Sequence, residues 1–261
     1  MFNYIKADLY RLMHKKSNYI YYGVLFAAFV LFTIFTMTNF SEGSGYSDGF
    51  LQAGIILLSQ AFPLLFGIQA YSVVYLNDVS SSSYQNIFSS GLSKVEFVIG
   101  KLIVFITYMF TTFLAGAIVY LALYLFVMSS ENADFNIEAF KTLATVGGSV
   151  FLGMIGYAGL ANLVAYVTQN TTMSLITFGV LISNISLTAL DLISLVTDKL
   201  EFLRKWTMSY YLSDSNNTLL FGSVNEVGMP FKTWGIIGIY ILVTAIAGIV
   251  LLRKIEIKEG K

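Results

Sequence analysis

Side chains able to do covalent, acid–base or metal chemistry are scarce in this sequence. His14 is the only histidine and cysteine is absent, so no Cys–His pair, Ser–His arrangement or metal cluster can be built within its apolar stretches. The missing cysteines also leave the redox compartment open. Glu131, Asp134 and Glu138 are close enough in sequence to supply a pair of carboxylates. They fall between two apolar runs, where a solvated polar face accounts for them better. The string Gly100-Lys101 has the ending of a phosphate-binding loop, but Val95 stands where its first glycine belongs and Leu102 where Ser or Thr belongs. The chain therefore reads as non-catalytic, with no nucleotide, metal or other cofactor of its own.

The polar residues inside the apolar runs are Gln60, Gln69, Asn162 and Asn184. With Pro63, which removes a ladder hydrogen bond and should kink its helix, they are the candidates for a pathway or a gate. Hydrogen bonding to a neighbouring helix is the better explanation of Asn184, and the set as a whole is a weak signal for a pathway. No charge stands in mid-run, where an ion-coupled carrier would usually place one.

The elements that must hold these residues are set by composition. Charged residues make up 11%, far below the roughly one quarter of a soluble domain, and hydrophobic residues reach 56%. Lipid must cover much of such a chain. Lys plus Arg and Asp plus Glu are 15 each, which leaves no basic stripe for nucleic acid.

Charge-free gaps mark the spans. They hold 25 residues after Lys16, 29 after Asp48, 29 after Lys101, 49 after Lys141 and 20 after Lys232. A crossing helix needs about 20 residues, and the 49-residue gap holds two. The expected fold is an all-α polytopic membrane protein of one domain, 1–261, with six transmembrane helices at about 19–37, 50–76, 98–128, 143–167, 173–190 and 234–252. Residues 1–16 put Phe2, Ile5, Leu9, Leu12 and Met13 on one face and most bases elsewhere, an interfacial elbow helix. In the third span Ala115-Gly116 is an expected close contact. In the fourth, Gly148, Ser149, Gly153, Gly156 and Gly159 form a small-residue seam for helix packing. Residues 191–230 are too apolar for a free loop and read as outer interfacial or re-entrant helices, with Trp206, Tyr210 and Tyr211 at headgroup level.

Between the second and third spans lies a serine-rich connector, 78–95. Tyr84, Ile87 and Phe88 follow helical spacing, Gly91 can end that helix, and Ser93 with Glu96 forms a capping box for the next one. It is either a cytoplasmic docking helix or a solvated loop carrying a short interfacial one. With both termini inside, ten bases lie on the cytoplasmic side and five outside, as the positive-inside rule prefers.

Taken together, the elbow helix, the connector with Gly91-Leu92-Ser93-Lys94 and Gly100-Lys101 after it, the small-residue fourth span and the apolar helices before the sixth resemble a permease subunit of the type-two ABC exporter superfamily. The likeness is to the small six-span subunits encoded apart from their ATPase, such as the lantibiotic-immunity and antimicrobial-peptide exporters. It covers nearly the whole chain, through topology more than through sharp motifs. By this resemblance the connector is a coupling helix, and Tyr84, Gln85, Ile87, Phe88 and Gly91 occupy the ATPase-coupling position. The family usually carries a Glu near the start of the connector. Asp78 is the nearest acid here, and Ser80 to Ser83 dilute the charge pattern. The resemblance implies a cytosolic ABC ATPase dimer that binds ATP and Mg, a second permease subunit (identical or a sister chain), an amphipathic substrate, and residence in a bacterial cell membrane. The alternatives are a membrane scaffold that recruits a cytosolic partner and a secondary carrier that works without an ATPase.

Overall fold

The structure is a computed structural model that describes residues 1–39, 50, 53–55, 57–76, 87–89, 91–131, 137–196, 201–213 and 228–259. Nearly all of them are helical, and none of the described residues lies in a strand. In chain order the helices are α1 (Phe2–Met13), α2 (Lys16–Asn39), α3 (Ala53–Leu76), α4 (Lys94–Glu131), α5 (Ile137–Thr168), α6 (Thr171–Ile182), α7 (Ile185–Val196), α8 (Glu201–Lys205) and α9 (Gly228–Glu259), with a further short helix at 208–213.

Four helices are long and apolar enough to cross a membrane, over Ala53–Leu76, Lys94–Phe126, Phe140–Thr168 and Phe231–Arg253. A fifth is added if the bent pair α6 and α7 counts as one span. The 24 residues of α2 reach about 36 Å at 1.5 Å each, which is also enough. The side chains of its second half lie outside the described residues. An all-helical architecture suited to a multi-pass membrane protein is therefore what the chain builds.

The central helix is α5, buried along most of its span while α4 and α9 leave most of theirs exposed. Small residues are the cause. A Cβ added at Gly153 would lie 2.7 Å from Leu212, one at Gly156 2.6 Å from Met208, and one at Gly148 3.0 Å from the Trp234 ring. At Gly159 the close neighbour is Thr244. Ser149 accepts a hydrogen bond from the Trp234 indole at 2.9 Å. Backbones approach this closely because lipid supplies no hydrophobic drive and packing must do its work. Ala115-Gly116 differs from expectation. Both face outward, with open space around Gly116. The packed face of α4 is its lower half, where Val104, Phe105, Tyr108 and Met109 are buried.

Around Pro63 the helix α3 widens into π-helical turns over Leu57–Ala61 and Pro63–Gly67, with a third over Ser72–Leu76. A wider turn takes in the proline, which has no N–H to offer the ladder. The turn into α6 is closed by Asn170, whose side chain accepts from the backbone N–H of Thr172 at 2.9 Å and of Met173 at 3.2 Å. From there α6 runs antiparallel to α5. Ser174 donates to the Ala161 carbonyl at 2.9 Å, and Ile182 meets Met154 across Gly67.

Candidate functional site

The residues with most to do meet where the connector enters α4. Gly91 stands at φ +93 and its N–H donates to the Phe88 carbonyl at 3.0 Å, which ends the helical residues 87–89. That φ suits glycine because a Cβ would clash with its own backbone. Two residues later the capping box read from the sequence is present. The Glu96 N–H donates to Ser93 Oγ at 3.2 Å, and the Ser93 N–H to Glu96 Oε2 at 3.1 Å. The chain thus reverses sharply and starts α4 with its orphan donors satisfied.

This reversal presses the connector onto the bundle. Ile87, Phe88 and Leu92 pack on Phe97, Val98 and Leu252, beside Tyr4 of α1 and Tyr166 of α5. The Phe88 and Phe97 rings meet edge to face at 5.3 Å. Lys94 Nζ donates to the Leu252 carbonyl at 2.5 Å and lies 5.7 Å from the Phe88 ring centre. One small patch therefore joins the connector to α1, α4, α5 and α9.

Two turns further along α4 is a buried charge. Lys101 is 1% exposed, and its ammonium donates to Asp8 Oδ2 at 2.6 Å and to the Val74 carbonyl at 2.9 Å. The other Asp8 oxygen accepts from Arg11 at 2.5 Å. Beside Lys101, Gly100 lets α1 lie close, since a Cβ there would sit 3.2 Å from the Tyr4 ring. A buried ion pair costs desolvation on both sides, so it is poor evidence of net stability and better read as a fixed point of registry. Here it locks α1 and the last turn of α3 to the first turns of α4. The terminal amine and Glu96, 3.5 Å apart and exposed, add a weaker tie.

The apolar face expected of α1 is therefore divided. Ile5, Asp8 and Leu12 turn into the bundle, while Phe2 and Met13 stay exposed beside it. Asp8 and Lys101 are the residues the sequence reading missed. The signal was Asp8 at i+3 from Ile5 and four before Leu12, on the apolar arc where an acid is out of place.

The other candidates do not converge on one site. Gln69 donates to Asn18 at 3.2 Å, and its carbonyl oxygen lies 3.0 Å from the Tyr22 hydroxyl, which is 2.7 Å from that of Tyr108. This network joins α2, α3 and α4. Asn162 accepts from the Tyr71 hydroxyl at 3.1 Å, and Tyr71 also meets Ser174, joining α3, α5 and α6. Gln60 is exposed, Pro63 is buried inside α3, and Asn184 is exposed at the break between α6 and α7. Tyr84 and Gln85 lie outside the described residues. Among the described residues no three His, Cys, Asp or Glu side chains gather as metal ligands. What these contacts do is hold α1, α3, α4, α5 and α9 together at one end of the bundle. No family model matches this chain, and neither a curated protein nor a solved structure matches it.

Proposed function

We propose that this chain is the membrane-spanning subunit of an ATP-driven exporter, powered by a separate cytosolic ATPase that pushes on the connector. In this reading the chain crosses a bacterial cell membrane six times, with both termini and residues 78–95 in the cytoplasm. A second permease subunit completes the pathway, and an amphipathic or hydrophobic substrate moves along it. The observation that carries the reading is the patch under the connector. Because Phe88 sits on Phe97 and Lys94 holds the Leu252 carbonyl, a push at Ile87 and Phe88 bears on α4 and α9 together. The buried Asp8 and Lys101 pair extends that push to α1 and α3.

Purification of the intact chain from its native membrane tests this. The expected result is a co-purifying ATP-binding-cassette protein whose ATPase activity depends on the connector. Phe88→Asp, which puts a charge into the contact between the connector and Phe97, should abolish both the association and the stimulated hydrolysis. Hydrolysis indifferent to that change would remove the coupling role. Transport in vesicles under an ion gradient without nucleotide would instead favour the carrier, and a bound partner without any transport the scaffold.

A further inference from the structure

The apolar stretch 171–194 is broken into two helices. α6 ends at Ile182 beside Met154, which is the midpoint of the span Phe140–Thr168. The break is made by Asn184, at φ +56, and α7 leaves at 65° to α6. The chain then returns to the same height. Met208 and Leu212 cover Gly156 and Gly153, and the Ser209 hydroxyl lies 2.7 Å from that of Tyr157. The chain thus leaves the middle of the bundle at Asn184 and is back beside it at Met208.

That excursion carries an ion pair. Arg204 Nε lies 2.7 Å from Asp191 Oδ1, and the guanidinium stands 5.1 Å over the Tyr210 ring. A helix bent by 65° advances about 0.6 Å per residue along the direction of α6, so Asp191 lies only about 4 Å beyond the break. Trp206 is pinned at that height through its carbonyl, which accepts from the Tyr240 hydroxyl of α9. The pair is half open. The Asp191 and Arg204 side chains are 42% and 38% exposed, and the contact between them is made through Oδ1 and Nε. Exposed Trp206, Leu192, Ile193 and Phe202 give the surroundings an apolar rim.

Charged groups this deep are expensive and mark pathways. Resting on the exporter reading, we infer that the Asp191 and Arg204 pair is a mid-height station for the head of an amphipathic substrate, and that the head it fits is zwitterionic, a primary ammonium with a phosphate. The phosphate takes the Arg204 Nη atoms, which suit a planar, bidentate acceptor, and the ammonium donates to Asp191 Oδ2. The four charges then sum to zero, so nothing is left uncompensated in a poorly solvated place. A purely anionic head leaves one net negative charge. A choline head has no N–H to give the carboxylate.

Trp206 is the reporter, because Trp234 is the only other tryptophan. The Trp234→Phe variant is reconstituted into vesicles doped with lipids brominated on their acyl chains. If that variant does not fold, the difference between the native chain and Trp206→Phe yields the same signal. Phosphatidylethanolamine should quench Trp206 more than phosphatidylcholine or phosphatidylglycerol at equal mole fraction, and that preference should be largest with bromines on the chain carbons next to the head, because the docked head lies beside Trp206. The neutral pair Asp191→Asn with Arg204→Gln keeps the shape and should erase the preference, a loss of about tenfold in association. Equal quenching by the three lipids, a preference for another head, a preference that survives in the neutral pair, or a preference seen only with bromines far down the chain would each overturn the assignment. A negative result leaves the co-purification test of the ATPase partner untouched, so the two readings fail separately.

Discussion

Asp8 and Lys101 show how one pair of residues can organise one end of the bundle. Lys101→Met alone leaves the Asp8 carboxylate with only the half-exposed Arg11 as its cation, and the expected loss is about 1–3 kcal/mol of stability. Replacing both, Asp8→Leu with Lys101→Met, should recover most of that loss, because desolvation and attraction disappear together. Unfolding of the purified chain in detergent, run as a double-mutant cycle, checks this. If the pair serves registry between α1 and α4, the double variant should fold and yet, on the exporter reading, couple poorly to the proposed ATPase. Neither residue stood out in the sequence. Asp8 sits among Lys6, Arg11 and Lys15, which read as a solvated basic face, and Lys101 follows a glycine in a string that mimics a phosphate loop. By contrast, Gly91 and the Ser93 and Glu96 box were legible. Caps depend on local spacing alone, whereas the ion pair joins residues 93 positions apart.

Two elements can be challenged separately. The seam of α5 is expected to be intolerant of bulk. Gly156→Val would drive a side chain into Met208 and Ile237 and should cost about 1–3 kcal/mol, while Gly116→Ala, in open space on α4, should be close to neutral. Thermal unfolding of the two variants side by side gives the comparison. The break between α6 and α7 makes the opposite demand, for a residue that accepts a left-handed backbone. Asn184→Leu should lose about 1–2 kcal/mol or straighten the helix, and Asn184→Gly should be tolerated. Helix lengths and the fourth-span seam follow from gaps and spacing that a sequence displays openly. The break does not, since Ser183-Asn184 contains neither Gly nor Pro and lies in an apolar run long enough for an unbroken crossing. Only its packing against Met154 and Gly67 locates the point where α6 stops.

At the scale of the whole molecule, the chain is a bundle around α5 whose end nearest the connector is tied into one unit. Lys94 grips α9, Lys101 grips α1 and α3, and the connector lies between them on Phe97. Such an assembly suits a subunit moved from outside itself, because a displacement at one point reaches four helices through short, buried contacts. The account depends on the connector facing the cytosol, where a motor could meet it. The chain has no native cysteine, so a single one at exposed Ser89 reports its side of the membrane without background. A membrane-impermeant maleimide should label Ser89→Cys in inside-out vesicles only, and bound ATPase should block the reaction. Labelling of that cysteine in intact cells would put the connector on the outer face and contradict the account.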